Sequence, residues 1–287
     1  MELALPITVY WDLTSNTPND SLLLSCCDQI LECRPLMLQL YDPSPVLSEG
    51  ALAVLGAFKG SGVSVSLTMP YSGLVSLDST SMDEFGIKEL LVAINSPLPL
   101  LSIPLIPKLG LAFFVSSDNW HALPDVVLLC RNQEINRLVL PMQRLYLGEE
   151  PFLLTKVEQR ILENNLAVIG GTSDLRLTIH DPFLWRAFNP GIPFPQAGCQ
   201  AANTMISISP VGDVFPCPTL PELLGNIRST SLKDIITSPA KRELRKKITK
   251  SPIACNSCLE IAVCRGGCRG RSLVKYGSFD DVDDACR

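Results

Sequence analysis

Seven of the eleven cysteines lie between Cys199 and Cys286, and their spacing constrains this chain more than anything else in it. They run Cys199-x17-Cys217, then Cys255-x2-Cys258-x5-Cys264-x3-Cys268, then Cys286, with Gly212 five residues before Cys217. A C-x2-C pair turns two thiolates toward one metal. Four cysteines within fourteen residues, with two more upstream and one downstream, form a metal-binding pattern rather than scattered thiols. Where thiols stay reduced, so dense a group binds metal instead of forming disulfides. Seven thiolates exceed one tetrahedral zinc site. The spacing suits one zinc with leftovers, two zincs, or two iron–sulfur clusters.

Charge divides the chain at the same place. From Gly198 to Arg287 there are thirteen Lys and Arg against nine Asp and Glu, a net of +4, while the remainder carries −9. A basic segment can serve nucleic acid, but it also neutralises metal-bound thiolates, which are anions. The 287 residues are 46% hydrophobic and 18% charged, enough to bury a sizeable core and too apolar for a disordered chain. No run of about twenty uninterrupted apolar residues exists, so no membrane span is expected. The nearest candidate, Ser96 to Ser117, carries four prolines and Lys108. The first residues lack the basic start of a secretory signal, and a cytoplasmic location is expected.

Upstream, short strands alternate with helical patterns. Strands are expected at Ile7–Leu13, Leu36–Tyr41, Val63–Met69, Glu89–Ile94, Leu111–Val115, Arg137–Leu140 and Arg176–Ile179. Helices are expected at Asp20–Leu31, Leu47–Lys59 (capped by Gly60 and Gly62), Asp118–Arg131 and Lys156–Asn165. This alternation implies an α/β fold with a parallel sheet or barrel of about six units, fewer than the eight of a full barrel. After Pro182 the pattern changes. Three domains follow: 1–182 as a partial (β/α)6 barrel, 183–198 as a Pro- and Gly-rich linker, and 199–287 as a small irregular cysteine-rich domain. One helix is expected there, Leu232 to Ile248, interrupted at Pro239. So few apolar runs call for metal as a supplement to burial.

The motif C-x12-G-x4-C, a gap, C-x2-C-x5-C-x3-C, a gap and a final C resembles the seven-cysteine SPASM domain of radical SAM maturases. Gly212-Asp-Val-Phe-Pro-Cys217, Leu224-Gly-Asn-Ile227 and Ser231-Leu-Lys-Asp-Ile235 agree with that resemblance. It covers about the last 90 residues closely, and the upstream part resembles the family's partial barrel more loosely. The resemblance implies two auxiliary 4Fe-4S clusters. Cys255, Cys258, Cys264 and Cys286 would bind one, and Cys199, Cys217 and Cys268 the other. The second set is one protein ligand short. Where some relatives place an extra cysteine, this chain has Pro193. A carboxylate, Cys130, an exogenous thiol, a substrate group or an open iron could complete it. Arg265, Arg269 and Arg271 stand beside the ligands, either as counter-charges that tune potential or as surface arginines.

A working radical SAM enzyme also needs C-x3-C-x2-C after its first strand. The stretch Ile7 to Asn16 resembles the strand leading into that motif, and the ligand positions then fall on Thr17, Ser21 and Leu24. None is a strong iron ligand. The family's Gly-Gly-Glu-Pro turn is replaced by Asp42-Pro43-Ser44-Pro45. S-adenosylmethionine is therefore not an expected cofactor. Cys26, Cys27 and Cys33 have the wrong spacing to substitute, and with Cys130 they read as core residues. His180 ends a strand at the barrel rim, and a hydrogen-bonded structural histidine is the simpler reading. His121 has no partner motif. The basic stretch Lys241, Arg242, Arg245, Lys246, Lys247 and Lys250 reads as a solvated helix face rather than a nucleic-acid site, since no aromatic residues interleave with it.

The chain is thus similar to the SPASM-domain proteins of the GeoRSP group, which accompany a radical SAM/SPASM enzyme and a PqqD-like peptide-binding protein. That similarity implies a non-catalytic partner in peptide modification, relaying electrons or holding the substrate. Two alternatives stand beside it: an independent enzyme using the incompletely ligated cluster, and a zinc-stapled binding module.

Overall fold

The structure, a computed structural model, describes residues 3–77, 79–97, 108–194 and 198–286. Residues 98–107 of the proline-rich stretch Ser96–Ser117 and residues 195–197 of the expected linker lie outside the described residues.

Seven parallel strands follow one another: β1 (Thr8–Asp12), β2 (Met37–Tyr41), β3 (Ser64–Pro70), β4 (Ile87–Ile94), β5 (Leu109–Phe113), β6 (Arg137–Leu140) and β7 (Arg176–Ile179). Helices α1 (Ser21–Glu32), α2 (Glu49–Phe58), α3 (Ser79–Glu84), α4 (Leu123–Asn132) and α5 (Lys156–Val168) connect them. The caps explain where several of these begin. Asp20 accepts a hydrogen bond from Leu23 N at 2.8 Å, Ser48 accepts one from Ala51 N at 3.1 Å, and Thr155 with Glu158 forms a capping box. The helix expected from Asp118 starts later, at Leu123, because one 3-10 turn (Trp120–Ala122) precedes Pro124.

Each strand alternates between two faces. On β1, Val9 and Trp11 are buried in the helix layer, while Thr8 and Tyr10 point into a lumen. On β2, Leu38 and Leu40 are buried, and Met37, Gln39 and Tyr41 line the lumen. The sheet curls enough for the Tyr10 hydroxyl of β1 to reach His180 Nε2, just past β7, at 3.2 Å. Where the strands start, Glu89 accepts from Arg137 Nε at 2.8 Å and from Arg176 Nη2 at 2.6 Å. This ion group fills one end of the lumen and leaves the strand-end side open, where barrel folds place their chemistry.

The C-terminal part is built into the same sheet. β8 (Met205–Ile208) pairs in parallel with β1 on the side away from β2, with Thr8 opposite Met205. β9 (Asp213–Phe215) and β10 (Gly225–Asn226) continue antiparallel, giving ten strands in the order β10-β9-β8-β1-β2-β3-β4-β5-β6-β7. The stretch expected as a linker opens with helix α6 (Pro182–Phe188). Asp181 caps it through the backbone N–H groups of Phe183 and Leu184, and it buries Phe183, Leu184, Ala187 and Phe188. Beyond β10 come α7 (Leu232–Thr237), α8 (Pro239–Thr249), α9 (Ile261–Cys264) and α10 (Arg269–Tyr276). Pro239 does break the expected helix: Ser238 ends α7 and caps α8 in extended backbone.

Candidate metal centre

The β8–β9 hairpin delivers the first two cysteines. Its turn closes through Ser209 N to Asp213 O at 2.8 Å and Gly212 N to Ser209 O at 2.9 Å. Gly212 has φ +87°, and a Cβ there would come within 3.0 Å of Ile227, so glycine is required on both counts. β9 leads through Pro216 into Cys217. The Pro216 carbonyl accepts from Ala202 N at 2.7 Å, which draws the Cys199 loop to the end of the hairpin. Arg245, on α8, donates from Nη1 to the carbonyls of Cys199 (2.9 Å) and Ala201 (2.8 Å) and holds that loop from the other side.

The second group is shaped by turns. Cys255 closes a 3-10 turn (Ile253–Cys255), Cys258 N donates back to Cys255 O at 3.0 Å, and Cys264 ends α9. The three residues between Cys264 and Cys268 are Arg265, Gly266 and Gly267, all with positive φ: +53°, +92° and +67°. A Cβ on Gly266 would lie 2.6 Å from Pro252, and one on Gly267 would lie 2.7 Å from the Asp283 carboxylate. This left-handed reversal separates Cys264 from Cys268, which becomes the extended N-cap of α10.

By their electrostatic influence on one another the thiols sort into two groups. Burial pushes the Cys217 thiol far up, and Cys199 and Cys268 push it further. Burial likewise pushes Cys286 up to about 11, with Cys264, Cys255 and Cys258 adding to it. Cys268 is pushed up to about 12 by burial, and Arg271 opposes the shift. Thiols raised in this way lose their protons to solvent when a metal centre binds the thiolate sulfur in their place. The groups are Cys199, Cys217 and Cys268, and Cys255, Cys258, Cys264 and Cys286; Cys258 of the second group is exposed, whereas Cys264 lines the same cavity as the first group. Among the described residues, no three His, Cys, Asp or Glu side chains close around a single ion.

The surroundings suit an anionic group. Arg269 is 1% exposed, yet its Nε and Nη1 have no hydrogen-bond acceptor among the described residues. Arg271 is also buried: it meets Asp181, and it grips Asp283 from Nε at 3.0 Å and Nη2 at 2.8 Å. Asp283 accepts from Cys268 N at 2.7 Å, and Gln159 donates to the Ala285 carbonyl at 2.8 Å, so the Cys286 tail is tied down on two sides. Arg265 is exposed. Of the expected solvated helix face, Arg242, Lys246, Lys247 and Lys250 are exposed, but Lys241 and Arg245 turn inward. Sequence reasoning missed Arg245, Asp283 and Gln159 as positioning residues, and nothing in their local sequence marks them.

The two thiol groups adjoin a cavity of about 320 Å³ walled by Leu140, Met142, Trp185 and Phe194 and floored by Cys199, Cys217, Cys264 and Cys268. His180 lies between it and the lumen, whose volume is about 250 Å³. Cys130 does not stand with Cys199, Cys217 and Cys268: it is fully buried in α4 within the barrel core, packed with Val126 and Val127. Cys26, Cys27 and Cys33 are buried in that core as well. After β1, the Thr17 hydroxyl accepts from Thr14 N at 2.8 Å, and the Thr17 side chain packs on Gly50 of α2, where a Cβ would clash at 2.6 Å. Ser21 begins α1, and Leu24 is exposed. Asp42 is fully buried and accepts from Ser44 N, Ser44 Oγ and Ser48 N, so its own loop satisfies it.

Comparison with known proteins gives the chain's relatives. Residues 199–259 match the SPASM family, described as an iron-sulfur cluster-binding domain. The mycofactocin maturase MftC of Mycobacterium ulcerans is 33% identical over 93 residues, covering 31% of this chain and 25% of that protein. The AdoMet-dependent heme synthase of Methanosarcina barkeri is 30% identical over 89 residues, with the same coverage. The chain thus spans about a quarter of the length of these curated relatives. Among solved structures, Streptococcus suis SuiB bound to S-adenosylmethionine superposes with a TM-score of 0.68 at 15% identity, over 100% of this chain and 78% of that one. Native anSMEcpe with bound AdoMet and Cp18Cys peptide gives 0.62 at 15% identity, over 98% and 94%.

Proposed function

We propose that this chain, which belongs to the radical SAM/SPASM family, holds two 4Fe-4S clusters and serves a radical SAM enzyme as a non-catalytic partner in peptide modification. The observation that carries the reading is the pairing of two thiol groups with a β1 loop in which Thr17, Ser21 and Leu24 occupy the positions a catalytic cluster requires.

Cys255, Cys258, Cys264 and Cys286 would hold the outer cluster. Cys199, Cys217 and Cys268 would hold the inner one, its fourth position left to a group entering the cavity. Bound clusters supply one-electron transfer. The chain's own residues do the rest: Arg245 holds the Cys199 loop, and Asp283 and Arg271 hold Cys268 and the tail. Cys258 at the surface, with Cys264 and the Cys199, Cys217 and Cys268 set on the cavity, favours a path from a docked redox partner toward the barrel. Structural neighbours were solved with precursor peptide SuiA and with Cp18Cys peptide, which supports a peptide as the modified partner. By its resemblance to the GeoRSP group, the other partners are a complete radical SAM/SPASM enzyme and a PqqD-like peptide-binding protein. Among the described residues no helix is long and apolar enough to cross a membrane. We place the protein in the cytoplasm.

The test has two steps. Anaerobically purified protein should contain about eight irons and eight sulfides per chain, two cubanes' worth. Omitting the chain from a reconstituted system should then abolish modified peptide while S-adenosylmethionine cleavage by the partner stays measurable. Zinc without iron would replace the reading with a binding module. Full product formation without the chain would remove the partner role.

A further inference from the structure

We infer that Arg269 is a shared counter-cation placed between the two cluster sites, so that this one side chain sets the reduction potential of both. The inference rests on the two-cluster reading above and goes beyond it by assigning the coupling to one residue. Three observations carry it.

Arg269 follows Cys268 directly. Cys268 caps α10 in extended backbone, so its side chain and that of Arg269 depart in different directions. The guanidinium stands against the Arg265-Gly266-Gly267 turn that joins Cys264 of the outer set to Cys268 of the inner one, on the side where Pro252 leads into Cys255.

The guanidinium is also only partly satisfied. Nη2 donates to the Phe279 carbonyl, while Nε and Nη1 are buried with no acceptor among the described residues. A buried, unpaired N–H of a charged group is costly, so such groups are normally paired with an acceptor. Sulfide and thiolate sulfur would provide acceptors on both sides, and hydrogen bonds to sulfur are a recognised control on cluster potential. The two remaining donors of a planar guanidinium can serve two acceptors in different directions. A lysine ammonium concentrates its donors at one point.

The site for this side chain is built. Gly266 is held at φ +92°, and a Cβ there would stand 2.9 Å from Arg269 Nη1. The Phe279 ring lies 5.9 Å from the guanidinium carbon on another side. By contrast, Arg271 is neutralised by Asp181 and Asp283 and Arg265 is exposed, so neither offers a free buried charge to the clusters.

Removing a positive charge disfavours the added electron. Arg269→Gln should lower the midpoint potentials of both clusters together, each by about tenfold in the reduction equilibrium, or 59 mV for a one-electron couple. Arg269→Lys should keep both clusters and shift both potentials in the same direction by less. The measurement is an anaerobic redox titration followed by electron paramagnetic resonance, on full-length protein with iron counted beforehand. If Arg269→Gln fails to retain iron, the Lys variant decides alone: a shift of both signals supports the inference. Potentials that stay at their wild-type values, or a shift confined to one cluster, overturn it. Wild-type protein with no iron would instead overturn the two-cluster reading, before any variant is read.

Discussion

At the scale of single residues, cysteine serves two purposes in this chain, and burial alone does not separate them. Cys27 and Cys130 are fully buried, and burial pushes each thiol up to about 12. Most of the seven C-terminal thiols are raised by burial too, but at Cys217, Cys255 and Cys286 two or more neighbouring thiols add to the shift, whereas Cys27 has only Cys26 and Cys130 has none. The difference is whether a second and third thiol stand within electrostatic reach. For Cys27 and Cys130 the consequence is a pH dependence. Their folded pKa values are raised above the ordinary 9.0, so the stability they contribute is complete below pH 9. It is lost as pH climbs toward 12, by up to about 1.4 kcal/mol per pH unit for each thiol. The urea midpoint should therefore fall between about pH 8 and about pH 10.5, and less steeply in a Cys27→Ala, Cys130→Ala double variant. Equal slopes in the two proteins would rule these thiols out as the source.

At the scale of elements, the start of α10 and the chain end form one unit. Arg271 sits between Asp181, which caps α6, and Asp283, which also accepts from Cys268 N. Arg271→Met would leave two largely buried carboxylates without a counter-charge, a change that costs about 3–5 kcal/mol. A lower urea midpoint is expected, with faster amide exchange at Ala285 and Cys286. Unchanged exchange at those amides would show that Gln159 alone secures the tail. The sequence made α1, α2 and α5 legible, because each couples a capping residue to helical apolar spacing. It did not make α6 legible. Pro182, Pro190 and Gly191 read as breaks, yet Pro182 occupies the first turn of a helix, where its missing N–H costs nothing.

At the scale of the molecule, the cysteine-rich part and the barrel share a sheet. β8 lies along β1, and the cavity between them draws its walls from both. A fragment ending near residue 194 would expose the β1 edge and the apolar flank it now shares with Ile206 and Ile208. Unpaired edges of that kind associate. The fragment should elute from size exclusion as oligomer or aggregate, and a stable monomer would show that the barrel needs no partner strand.

The number and spacing of thiols, the α/β alternation and the missing C-x3-C-x2-C are local properties, and the sequence by itself determined them. Which thiols stand together was decided by the tertiary structure, because that depends on where a hairpin, a left-handed Arg-Gly-Gly turn and a chain end meet. The same holds for Cys130, whose removal from the ligand candidates follows from its place in the barrel core. It holds most of all for the arginines. Arg265, Arg269 and Arg271 are alike in sequence, and only packing exposes the first, buries two nitrogens of the second with no acceptor among the described residues, and neutralises the third. Charge on a buried side chain is governed by its neighbours in space, and those come from segments far apart along the chain.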